Sequence, residues 1–117
     1  MGGILRERQT PVQIVVANLE IAVSAYVIVD MEVTDPVAIE EYRRLAGASV
    51  AAHGGRFAVR GGRLDYLEGD WKPQRVIVLE FADAAQARAW WSSPEYAAAR
   101  VIRDRAARTR MVLVEGT

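Results

Sequence analysis

The stretch Arg75-Val76-Ile77-Val78-Leu79-Glu80-Phe81-Ala82 decides the fold. Ile77, Leu79 and Phe81 fall on one face of an extended chain, and Val76, Val78, Glu80 and Ala82 on the other. This is the strongest strand signal in the chain. Upstream, Gly69-Asp70-Trp71-Lys72-Pro73 reads as a loop. Before it, Phe57 to Arg60 and Arg63 to Glu68 read as two short strands around Gly61-Gly62, a glycine pair that suits a tight hairpin turn. Earlier still, Asp35-Pro36 opens a helix, with Asp35 capping free N–H groups and Pro36 in the first helical position. That helix is expected to run to His53, with Ala38, Tyr42, Leu45, Ser49 and Ala52 on its apolar face and a Glu40/Arg44 pair outside it. Gly54-Gly55 ends it. Ala25 to Val33 alternates again, with Ala25, Val27, Val29, Met31 and Val33 on one face and Tyr26, Ile28, Asp30 and Glu32 on the other.

Downstream, residues 84–91 read as a helix. Ser93-Pro94-Glu95 then restarts one, with Ser93 as cap, Pro94 first and Glu95 against the dipole. It is expected to reach Arg108, and Arg110 to Glu115 makes the last strand. The order is β-α-β-β-β-α-β. With the middle pair counted as one strand plus a returning extension, this is the split β-α-β, ferredoxin-like α+β arrangement. Two helices then cover one face of an antiparallel sheet. The other face carries Tyr26, Ile28, Val76, Val78, Val112 and Val114. So much aliphatic surface calls for a cover, and a second copy of the sheet, related by two-fold symmetry, supplies one.

The composition sets limits. At 117 residues and 51% hydrophobic, the chain can bury a core without staples. Its 15 basic and 15 acidic residues cancel, which argues against binding a phosphate backbone. Absent cysteine excludes disulfides, thiol catalysis and cysteine-ligated metal, and a single histidine excludes a multi-histidine site within one chain. Acids cluster from Asp30 to Glu41 and arginines from Arg88 to Arg110. Such patches can steer self-association, although solvated helix faces account for them as well. No apolar run is long enough for a membrane span. Residues 1–23 form an arm of uncertain structure before a domain at 24–117. Glu7 in its charged part and Gln13, Asn18 and Glu20 in its apolar part argue against a signal peptide, so a cytoplasmic protein is expected.

His53-Gly54-Gly55-Arg56-Phe57, Val59-Arg60-Gly61-Gly62, Leu67-Glu68-Gly69, the strand Arg75 to Phe81, and Ser93-Pro94-Glu95-Tyr96 together resemble the DUF1330 family. That family belongs to the dimeric α+β barrel superfamily. The resemblance implies a ferredoxin-like protomer and a sheet-to-sheet homodimer. It implies little about activity, since the superfamily holds cofactor-independent monooxygenases, isomerase-like enzymes and proteins without known chemistry.

Glu80 and Asp30 are the leading candidates for acid–base work. Both sit mid-strand on the face expected to meet the partner, where a lone carboxylate is costly. Arg60, Arg75 and Tyr26 are the expected partners. A polar pocket with a raised carboxylate pKa and an ion-pair lattice that fixes the dimer register are the two readings, the second preferred. His53 is a third acid–base candidate, read first as a helix-end residue. Trp90, Trp91 and Tyr96 cluster at the helix break and either line a small-molecule cleft or close the core. Arg100 and Arg103, beyond Tyr96, could clamp an anion. Neither glycine pair fits a phosphate-loop pattern. The expected function is that of a homodimer without cofactor, acting on a small metabolite with Arg60 or Arg75 orienting an anion. The alternative is a non-catalytic binding or assembly module.

Overall fold

The computed structural model describes residues 23–117, so the arm expected over 1–23 lies outside the described residues except for Val23. The elements are β1 (Ala25–Val33), α1 (Ala38–Ala52), β2 (Arg56–Arg60), β3 (Arg75–Phe81), α2 (Ala84–Trp91), α3 (Pro94–Ala106) and β4 (Ala107–Glu115). The sheet is antiparallel in the order β2-β3-β1-β4. This is the ferredoxin-like α+β fold, with the helices on one face.

Strand alternation is as the sequence implies. Ala25, Val27, Val29 and Met31 of β1 and Ile77, Leu79 and Phe81 of β3 are buried under the helices. Their even-numbered neighbours face away. Tyr26 lies opposite Val114 and Glu80, and Ile28 opposite Val112 and Val78. On that uncovered face Val112 is 60% exposed and Val114 46%.

Four local expectations are corrected. Arg63 to Glu68 is not a strand. β3 already pairs with β1 on one side and β2 on the other, and its aliphatic alternation outcompetes a segment interrupted by Arg63, Asp65 and Glu68. The connection instead folds on itself, with the Tyr66 hydroxyl donating to the Pro73 carbonyl at 2.7 Å. Secondly, α1 begins at Ala38, two residues past Pro36. Asp35 still caps this end: its Oδ1 accepts from the amides of Val37 (3.1 Å) and Ala38 (3.0 Å). The later start goes with a shifted buried stripe of Ile39, Tyr42, Ala46, Ser49 and Val50, and with Glu40–Arg43 and Glu41–Arg44 pairs in place of Glu40/Arg44. Thirdly, α3 stops at Ala106 and β4 follows without a loop. The Ala106 carbonyl accepts from Thr34 (2.8 Å) and Asp35 (3.0 Å), so the corner after β1 anchors the end of α3. The fourth concerns β2, which carries a bulge described below.

The helix ends follow their caps. Asp83 accepts from the Gln86 amide at 2.8 Å to start α2, and Ser93 from the Tyr96 amide at 3.1 Å to start α3. At the end of α1, Gly54 donates to Ala51 and Gly55 to Val50, which requires the positive φ (72°) that Gly54 adopts.

The helix layer is pinned by one indole. Trp90 is 1% exposed, its ring centroid 4.2 Å from that of Tyr96 and 5.5 Å from that of Phe81. Its N–H donates to the Ser49 hydroxyl at 3.0 Å, and Ser49 donates to the Ala46 carbonyl at 2.7 Å. Ser49→Ala strands that buried N–H and is expected to cost about 1–3 kcal/mol. Urea unfolding checks this: the midpoint should fall with an unchanged slope. An unchanged midpoint would mean that the bond contributes nothing.

Candidate functional site

The sequence-predicted residues divide between two faces of the sheet. Across an antiparallel pair, opposed residues share a face. Arg56 opposes Glu80, and Phe57 opposes Leu79. The register then slips by one, so Val59 opposes Val78 and Arg60 opposes Ile77. This bulge at Ala58 turns Arg60 toward the helices. Arg75 lies on the same side, opposite Met31.

Arg60 and Arg75 are therefore not the partners of Glu80 and Asp30. Glu80 pairs with Arg56, and the Tyr26 hydroxyl donates to it at 3.4 Å. Asp30 accepts from Arg110 and from the Trp71 indole, both at 2.9 Å to the same oxygen. Glu32 pairs with Arg108 at 3.4 Å. Nor are the two carboxylates neighbours: Tyr26, not Asp30, opposes Glu80, which puts Asp30 four residues further along β1, roughly 13 Å by strand rise. The Glu80 side chain is 21% exposed but Arg56 is 69% exposed. In a single protomer such a pair is worth no more than about 1 kcal/mol, well short of a fully buried ion pair.

His53 closes α1 and does not join these groups. Its Nδ1 lies 3.0 Å from the Ser49 carbonyl. Trp90 and Tyr96 are core residues, while Trp91 is exposed under the Arg100 guanidinium at 4.2 Å. Arg103 turns inward to donate to the Tyr96 hydroxyl at 2.9 Å and to Asp104 at 3.0 Å. Arg100 and Arg103 thus form no common clamp. Burial works against the Arg103 charge, but Tyr96, Asp104 and Tyr42 outweigh it and hold its pKa above the usual arginine value. Among the described residues, no three His, Cys, Asp or Glu side chains group as metal ligands would.

What the fold does enclose is a cavity between sheet and helices. Val29, Ile77, Leu79, Val50 and Trp90 supply apolar wall, and Tyr42, Arg43, Arg60 and Arg75 also line it. Its open space is about 40 Å³. Water needs about 10–15 Å³ on this measure, so the cavity holds a few waters or a short aliphatic group. Tyr42 and Arg43 were not among the residues singled out as site candidates. Tyr42 was read as core, which it also is, and Arg43 carried no signal beyond its charge.

The Tyr42 hydroxyl lies 3.0 Å from that of Tyr96, which in turn accepts from Arg103. Burial first, then the neighbouring Tyr96, raises the Tyr42 pKa well above the usual tyrosine value. The phenol is thus neutral across the physiological range, a hydrogen-bonding group and not a base.

Residues 24–117 match the family described as "Domain of unknown function (DUF1330)", and the chain belongs to that family. No curated protein matches the sequence. Among solved structures, RPA0582, a protein of unknown function from Rhodopseudomonas palustris, is similar with TM-score 0.69 and 18% identity, over 92% of this chain and 95% of that one. A dimeric ferredoxin-like protein of unknown function from Thermobifida fusca gives 0.60 and 17%, over 81% and 92%. SnoaB, a cofactor-independent oxygenase from Streptomyces nogalater, gives 0.57 and 14%, over 82% and 95%. At these identities the likeness is one of fold. No helix among the described residues is long and apolar enough to cross a membrane.

The buried phenol makes stability pH-dependent. Unfolded tyrosine ionises near pH 10. The folded value is higher, so the stabilisation is complete below about pH 10 and is lost as pH rises toward the folded pKa. Tyr42→Phe should lose about 1 kcal/mol at neutral pH. Above about pH 10 its stability should fall less steeply than that of the wild type. Urea titrations from neutral to alkaline pH compare the two, and parallel alkaline limbs would contradict this account of the phenol.

Proposed function

We propose that the chain is a homodimeric small-molecule-binding protein whose ligand enters the cavity between sheet and helices and whose uncovered sheet face packs against a second copy. The observation that carries the ligand reading is the cavity itself, an apolar space beside three arginines and a buried phenol. The cytoplasm is the compartment proposed, and no cofactor is invoked. The oxygenase relative supports chemistry without a cofactor on this fold, and binding is the step that such chemistry would share.

Acid–base catalysis built on Glu80, Asp30 and His53 has less support. The three do not converge, and none lines the cavity. Glu80 with Arg56, Asp30 with Arg110 and Glu32 with Arg108 are better read as charge pairs that set the register of the dimer around the aliphatic row. The dimeric relatives support that assembly.

Two measurements test the proposal. Sedimentation at micromolar concentration should give twice the chain mass of 12.9 kDa. Val78→Arg should yield monomer, because it sets an unpaired charge in an apolar contact. A monomeric wild type, or a variant that dimerises as well, would remove the sheet-face dimer. For the cavity, native mass spectrometry of freshly purified protein should show a small-molecule adduct. Ala46→Leu, which fills the space, should abolish it. No adduct on the wild type, or full retention by the variant, would contradict the binding reading.

A further inference from the structure

We infer that the ligand is a small aliphatic carboxylate, its tail in the cavity and its head on the guanidinium groups of Arg60 and Arg75. The inference rests on the binding reading above and adds the chemical class.

The charge around the cavity is unbalanced. Arg43, Arg60 and Arg75 all line it. Arg43 is matched by Glu40. Among the described residues, Arg60 and Arg75 form no salt bridge with a carboxylate. Their contacts are of other kinds. Arg75 reaches the Arg60 carbonyl at 3.5 Å, and the Arg60 guanidinium sits 3.9 Å above the Phe57 ring. Burial, then Arg43 and Arg60, press the Arg75 pKa below the usual arginine value, against a smaller opposing effect of Glu40. Arg75 is partly buried and Arg60 exposed; two neighbouring cations without a counter-charge repel each other, and an anion between them relieves that repulsion.

The backbone is also shaped to bring the two together. Without the bulge at Ala58, Arg60 would oppose Val76 on the far face, by continuing the Arg56–Glu80 register. Gly61 follows directly, with φ at 69°, and the Arg75 guanidinium occupies the space where a side chain at 61 would lie. Any residue but glycine there would displace the Arg75 guanidinium from this position. The bulge also sets Val59 opposite Val78, and Gly61 donates to the Val76 carbonyl at 3.0 Å, so the same local geometry that closes the β2–β3 pairing acts on both guanidiniums.

Size selects the body of the ligand. A cavity of roughly 150 Å³ accommodates benzene. The space here is about 40 Å³, so a short aliphatic tail is the part of the ligand assigned to it. Guanidinium forks pair bidentately with carboxylate or phosphate, and the carboxylate, the smaller and singly charged of the two, is the head group assigned.

Calorimetric titration of the wild type with pentanoate, 1-pentanol and pentylamine, which share a tail, is the test. Pentanoate should bind at least about tenfold tighter than pentanol, and pentylamine should not bind. Added salt should weaken pentanoate alone. Arg75→Gln and Arg60→Gln should each lower the ratio of pentanoate to pentanol affinity by most of that factor. Equal affinity for pentanoate and pentanol would overturn the carboxylate assignment and leave the cavity reading standing. Binding of none of the three would overturn both. Because the wild-type ranking already decides, a variant that fails to fold does not rescue the proposal. Benzoate binding as tightly as pentanoate would sink the aliphatic part of it.

Discussion

The pleat of a four-stranded sheet, interrupted once, decides which charges of this protein can meet. Successive side chains point to opposite faces, so each strand distributes its residues between a helix-covered side and an uncovered one. Asp30, Glu32 and Glu80 fall on the uncovered side with Arg56, Arg108 and Arg110 as partners. Arg75 falls on the helix side by the same rule. Arg60 would follow Arg56 to the uncovered face but for the one-residue slip at Ala58. A single extra residue therefore separates a balanced ionic face from an apolar cavity with excess positive charge.

That separation ties the energetics to the function. On the uncovered face, acids and bases lie opposite each other around Ile28, Val78 and Val112. Such a surface is suited to association, and its ion pairs gain strength only once solvent leaves. The helix side is organised differently. Trp90, Tyr96 and Phe81 stack into a rigid wall, Ser49 satisfies the indole, and the Tyr42–Tyr96–Arg103 chain satisfies the buried hydroxyls. These fixed groups hold α1 and α3 above the sheet. A gap is left beside Arg60 and Arg75.

Much of this was legible in the sequence. The alternation in Ala25 to Val33 and Arg75 to Phe81, the Asp35 and Ser93 caps, and the Gly54-Gly55 stop specify the elements and the bare face. The family follows from motifs spread over the same span. Alternation alone also puts Arg75 with Ile77 and Leu79, under the helices and on the face opposite to that of Glu80. Arg60 is different. A bulge depends on how β2 matches β3, and nothing within Phe57-Ala58-Val59-Arg60 announces it. The strand expected at Arg63 to Glu68 failed because β2 pairs with the more aliphatic β3 instead of with the segment that follows it. Tyr26 does reach Glu80 as expected, but the arginine pairings differ, because adjacency of strands does not set register: Glu80 pairs with Arg56, and Asp30 with Arg110 and Trp71.

The central claim is that the slip at Ala58 delivers Arg60 to the helix side. Nuclear Overhauser contacts of the arginine Nε–H groups test it most directly. The account predicts contacts from Arg60 to Gly47 and the Phe57 ring, both of which its guanidinium approaches. Contacts from Arg60 to Val76, Val78 or Ile28 on the uncovered face, in their place, would contradict it.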